Sequence, residues 1–187
     1  MTKRDYARYH FNLAERQFFL SMCISIGIAQ FVTSITGKSK IKWPNDILLD
    51  GRKISGILIE NTIIGDVLNT AVVGIGLNVN QTIFPQELPH PASLKLATGK
   101  TYDLQELLQT LLEMLTESVN LLYNGRFDII KTGYLNNLWR MNEWANFKDT
   151  SGSFEGRITD ITLAGELMVM KRTGDFRLYG FKEIGFI

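Results

Sequence analysis

Asp50–Gly51, set between the apolar runs 47–49 and 53–60, constrains this 187-residue chain more than any other feature. Both residues tolerate positive φ, so a two-residue connection of this type matches the twist of paired strands and predicts a tight hairpin. Upstream, 40–43 alternates apolar with polar residues and stops at the turn pair Pro44–Asn45. Downstream, a turn near Gly65–Asp66 precedes the apolar run 70–79. The spacing predicts an antiparallel meander of about three strands with one face covered.

The covering element is expected before it. Asn12 and Glu15 have capping-box spacing, and Phe18, Met22 and Ile26 recur at i, i+4 up to about Thr36, where Gly37 is a fitting stop. Three of the four prolines (Pro85, Pro89 and Pro91) fall in 81–92, which predicts a loop. Asp103 with Glu106 then opens an amphipathic helix to about Tyr123, and another helix is expected over 128–140. The stripe Leu104, Leu107, Leu108, Leu111, Leu112 and Leu115 is assigned to the core. From about Ala145 the texture changes to short strands (154–159, 165–170, 176–181), which predict a small barrel or sandwich. The fold class is α+β, an antiparallel or mixed sheet backed by helices over 1–144, with a small β domain over 145–187.

Composition excludes several partners. Twenty Lys and Arg against 19 Asp and Glu leave a net charge of +1, without the basic excess of a duplex nucleic-acid binder. Cys23, the one cysteine, lies in an apolar run far from His10 and His90, which assigns it to packing. The apolar stretch 18–32 is interrupted by Ser21, Ser25 and Gln30, so no membrane span is expected. The charged start lacks a leader pattern, and a reduced, cytoplasmic setting is the expectation.

Two segments concentrate chemistry. Lys42, Trp43, Pro44, Asn45 and Asp46 place two charges, an indole and an amide at one strand end. A purely structural account makes Lys42 and Asp46 an ion pair at a turn and Trp43 core. Gly56, Gly74 and Gly76 lie in apolar strand contexts, where glycine costs stability and often marks the close approach of a ligand or backbone. The alternative for these glycines is a bulge or helix packing. Gly74-Ile75-Gly76 lacks the third glycine and following helix of a dinucleotide loop.

Lys42 to Asp46, then Gly51 to Glu60, then Val73 to Asn80, resemble biotin protein ligases in order, spacing and wording; Phe181-Lys182-Glu183 resembles that family's C-terminal domain. The resemblance implies a class II synthetase-like ligase core with a small SH3-like C-terminal barrel. It implies that biotin and MgATP give biotinyl-5'-AMP, which then modifies a lysine of a biotin carboxyl carrier protein. Lys53 would be the cation between carboxylate and phosphate. Asp46 would orient or deprotonate the carrier lysine, or help hold Mg2+. Lys42, Trp43 and Asn45 would organise the site, Gly56, Gly74 and Gly76 would admit the ligand, and Asn78 would read the adenine edge. The family's Gly/Arg-rich biotin loop has no counterpart before Asn12, nor do the strands lining the biotin ring, nor a winged-helix domain. Impaired adenylation is the expectation from that departure, and a non-catalytic relative or fragment that binds nucleotide or carrier, or self-associates as a homodimer, is the alternative.

Overall fold

The structure is a computed structural model that describes residues 17–64, 67–86 and 91–187. The Asn12–Glu15 capping box, His10, His90, Pro89 and the Gly65–Asp66 turn lie outside the described residues.

Asp50 (φ 52) and Gly51 (φ 73) both adopt positive φ, as the hairpin requires. They join β2 (Asp46–Leu49) to β3 (Arg52–Ile64), paired from Leu49 against Arg52. With β1 (Lys40–Lys42) and β4 (Val67–Leu77) they form a four-stranded antiparallel sheet in the order β1-β2-β3-β4. The meander therefore has four strands, one more than expected.

The helix α1 (Gln17–Thr36) backs this sheet, and Gly37 (φ 80) donates its N–H to Thr33 O at 2.8 Å to end it. Phe18, Met22, Cys23, Ile26, Ile28, Phe31 and Val32 are all buried. Each such side chain contributes roughly 1.5–3 kcal/mol of burial. By length and composition alone α1 could cross a bilayer, contrary to the expectation from its interrupted run; two thirds of its most apolar stretch is packed inside the fold. Burial pushes the Cys23 thiol up to about 12, so it is a packing residue as predicted.

A short helix, α2 (Leu94–Thr98), follows the proline-rich segment and was not expected. Ser93 caps it through Leu96 N, and Gly99 closes it in the left-handed region. α3 (Leu104–Tyr123) begins at the predicted cap, where Asp103 accepts from Gln105 N and Glu106 N. Its leucine stripe is only partly core. Leu111 and Leu115 are buried against α1, whereas Leu104, Leu108 and Leu112 are more than half exposed. α4 spans Phe127–Asn137.

β5 (Trp144–Asp149), β6 (Gly152–Ile161), β7 (Leu167–Lys171), β8 (Phe176–Tyr179) and β9 (Gly185–Phe186) form a second antiparallel sheet in the order β8-β7-β6-β5-β9. The ladder ends in β8 and β9, and no pairing joins these two among the described residues. The α+β class with antiparallel sheets stands. Trp43 Nε1 donates to Gly165 O at 2.9 Å and its ring meets Phe181 at 5.4 Å, fastening the two sheets together.

Candidate active site

A β-bulge builds the centre of the site. Ile47 pairs with Ser55 but Leu48 pairs with Lys53, so Ile54 is the extra residue of β3. Without it Lys53 and Gly56 would point to opposite faces, since side chains alternate. With it, Lys53 shares the face of Gly56 and of Gly56's cross-strand partner Asp46. Ile54 and Ser55 are buried, while Lys53 keeps half of its side chain in solvent.

Lys53 Nζ lies 2.6 Å from Asp46 Oδ1. Its side chain runs across Gly56, where an added Cβ would stand 3.1 Å from both Cε and Nζ. Gly56 pairs with Gly76 and Leu58 with Gly74, which puts all three glycines on this one face. Gly74 and Gly76 are exposed, so the face is a low floor walled at one end by Lys53 and Asp46. A flat, open patch of backbone with a charge at its edge can receive a planar or anionic ligand at close range.

Asn78 follows β4 and is tied to Lys53 through one residue. Asn78 Nδ2 donates to Ala92 O at 2.9 Å, and Ala92 N donates to Lys53 O at 2.9 Å. Asn78 N also donates to Ile54 O, fixing the bulge. The amide donor of Asn78 thus holds the 91–94 segment, leaving Oδ1 as its remaining acceptor. Asn45 Nδ2 donates to Ile57 O at 2.7 Å, holding the β1–β2 turn against β3.

Besides Asn45, two predicted site residues form no side-chain bond with the Lys53–Asp46 pair. Trp43 is buried and bonded to Gly165, as the structural account of that segment expects. Lys42 stands opposite Asp46 in the β1–β2 pair but does not bond it. Its ammonium lies 5.6 Å from the Trp139 ring and 5.3 Å from the Phe186 ring. The Lys42–Asp46 ion pair is replaced by Lys53–Asp46. Sequence reasoning did not single out Ala92, Trp139 or Phe186; Pro91–Ala92 sits in a segment whose only signal was its prolines.

A cleft of about 500 Å3 lies between the start of α1, Pro44, Asn45, Ile57, Leu58, Ile59, Asn61 and Phe181. Ile57 and Ile59 alternate with Gly56, and although Leu58 also borders the cleft, neither Lys53 nor Asp46 lines it. Among the described residues no group of three or more His, Cys, Asp or Glu could cage a metal ion.

Residues 11–78 match the model of the biotin/lipoate A/B protein ligase family. The bifunctional ligase/repressor BirA of Bacillus spizizenii is 29% identical over 164 residues, 86% of this chain and 50% of that protein. The biotin–[acetyl-CoA-carboxylase] ligase of Paracoccus denitrificans is 40% identical over 76 residues, 38% of this chain and 31% of that protein. The chain spans about half the length of the first of these. A biotin protein ligase from Aquifex aeolicus in complex with biotin and ATP superposes with a TM-score of 0.73 at 23% identity, over 94% of this chain and 74% of that one. At that identity the superposition shows a shared fold.

Proposed function

We propose that this chain is a ligase of the biotin/lipoate A/B protein ligase family, whose model matches residues 11–78. Its reaction is ATP-dependent activation of biotin's carboxylate, followed by transfer to a lysine amine of a carrier domain. The observation that carries the reading is the Lys53 ammonium over Gly56, on the open face that also presents Gly74 and Gly76.

In the first step a carboxylate oxygen attacks the α-phosphorus and pyrophosphate leaves. Two anions must meet, and a fixed cation between them lowers that barrier. Lys53 is suited to this. Its contact with Asp46 is short but only partly buried, with half of the lysine side chain in solvent, and a pair so open to water contributes only about 0–1 kcal/mol. An incoming carboxylate and phosphate can therefore take over the ammonium at little cost. Asp46 is then released beside the reacting atoms, where it can orient the attacking amine, accept its proton, or face the magnesium carried by the triphosphate. In the second step the amine attacks the acyl carbon, AMP leaves, and the amine gives up a proton.

The glycine floor lets the ligand's flat portions contact backbone directly. Asn78 would accept from an adenine amino group through Oδ1 while Nδ2 keeps the 91–94 segment in place. Magnesium arrives as MgATP, since the described residues offer Asp46 and no ready-made cage.

Calorimetric titration with a sulfamoyl analogue of biotinyl-5'-AMP, alongside mass spectrometry of a biotin carrier domain incubated with biotin and MgATP, tests the reading. Analogue binding together with a biotinyl mass increment on the carrier lysine supports it. Binding without modification favours a nucleotide- or carrier-binding relative, and absence of both removes the ligase reading. Lipoate in place of biotin separates the two acyl groups of the family.

A further inference from the structure

Lys42 and Asp46 face each other across β1 and β2. Side chains so placed leave the same face of the sheet with Cβ atoms about 5 Å apart. A lysine there would ordinarily close on the carboxylate. Here it turns to Trp139 and Phe186, and Asp46 meets Lys53.

The two rings are fixed from several directions. Trp139 N donates to Ile41 O at 2.7 Å, next to Lys42 in β1. Asn142 N donates to Ile158 O, tying the same connection to β6. The Trp139 and Phe186 rings are 5.5 Å apart, and Phe186 in turn meets Phe147 at 5.3 Å. The Arg140 guanidinium also lies over the Trp139 ring, 4.3 Å from its centroid. An ammonium over two ring faces is held by the rings' negative quadrupoles.

We propose that the Trp139–Phe186 pair is a positioning device that sequesters Lys42, so that Asp46 pairs with Lys53 and places that ammonium over Gly56. Without the pair, two lysines compete for one carboxylate and Lys53 loses its fixed location. The second sheet thereby sets the geometry of a site to which it gives no side chain. The inference rests on the role proposed for Lys53, but its first test requires no turnover.

Limited acetylation with acetic anhydride, read by peptide mass spectrometry, measures how freely each lysine reacts. Phe186→Leu is expected to raise labelling of Lys53 at least threefold, with Lys131, paired to Asp160, as the unchanged control. Adding Lys42→Met to Phe186→Leu removes the competitor and should return Lys53 to the wild-type rate. If Phe186→Leu unfolds the chain, Trp139→Leu with and without Lys42→Met repeats the comparison. No change at Lys53, a rise that Lys42→Met fails to reverse, or an equal rise at Lys131 overturns the proposal. In the ligase assay Phe186→Leu should lower kcat at least threefold without changing KM for ATP, and Lys42→Met should restore it. Absence of wild-type turnover would count against the ligase reading and leave the labelling result to decide the cage.

Discussion

Gly56 lies directly beneath the Lys53 side chain: a Cβ at position 56 would stand 3.1 Å from Lys53 Cε and Nζ and 3.5 Å from Asp46 Oδ1. The atoms it would strike are the flexible end of a lysine, not backbone, so the chain can relax. Gly56→Ala is expected to leave thermal stability nearly unchanged, within about 1 kcal/mol. Displacing the ammonium should nonetheless slow adenylate formation by on the order of 10- to 100-fold. Melting curves and pyrophosphate release on the same variant check both halves.

Asn78 acts on the site from two sides. Asn78→Ala removes the side-chain bond to Ala92 O, one of the ties that hold Ala92 where its N–H meets the Lys53 carbonyl. It also removes the acceptor proposed for adenine. The expected loss is about 1 kcal/mol in ATP binding, roughly fivefold in Kd. The affinity for biotin alone, measured by calorimetry, should move less than twofold. Equal losses for both ligands would place Asn78 in general support of the fold.

Trp43 is core in spite of its place in the segment Lys42 to Asp46. Trp43→Phe leaves Gly165 O without its buried indole donor, which costs roughly 1–3 kcal/mol. Urea unfolding should show that loss, with ligand Kd values unchanged. A weakened Kd at unchanged stability would return Trp43 to the binding site.

Acid should loosen the second sheet through Asp149. Its side chain is 2% exposed and accepts from Tyr179 OH at 2.9 Å. It also accepts from Ser151 N and lies near Lys171 and Arg177. The Tyr179 hydrogen bond foremost, then the Ser151 N–H and the two cations, holds the carboxyl below the ordinary 3.8 despite burial. A folded-state value below the unfolded one means that the stabilisation is full above the unfolded value. It is lost as pH falls from about 4 through the folded value. Asp149→Asn should flatten the acid limb of a plot of melting temperature against pH, and an unaltered limb would remove Asp149 as its cause.

What was legible in the sequence follows from the range of the interactions. The hairpin at Asp50–Gly51, the cap at Asp103 and the stop at Gly37 are local chemistry, and each is found where the sequence predicts it. The grouping of Lys53, Asp46 and the three glycines was legible through the segments that resemble biotin protein ligases. The bulge at Ile54 that makes the grouping geometrically possible was not, because a single unpaired residue leaves no periodic trace. Lys42 was misassigned for a different reason. Its partners stand at 139 and 186, far along the chain, while an acidic residue four positions away suggested the simpler pairing. The leucine stripe of α3 failed by degree: the period of 3.6 fixes a face, but not how wide a face the neighbouring helix covers.

Biotin-dependent exchange of labelled pyrophosphate into ATP probes the central claim most directly, since it reports the activation step without a carrier. Exchange by the wild-type chain that requires biotin, and that falls about 10²- to 10³-fold in Lys53→Ala, is the predicted result. Absence of exchange by the wild type, or exchange undiminished by Lys53→Ala, would contradict the assignment of Lys53 to carboxylate activation.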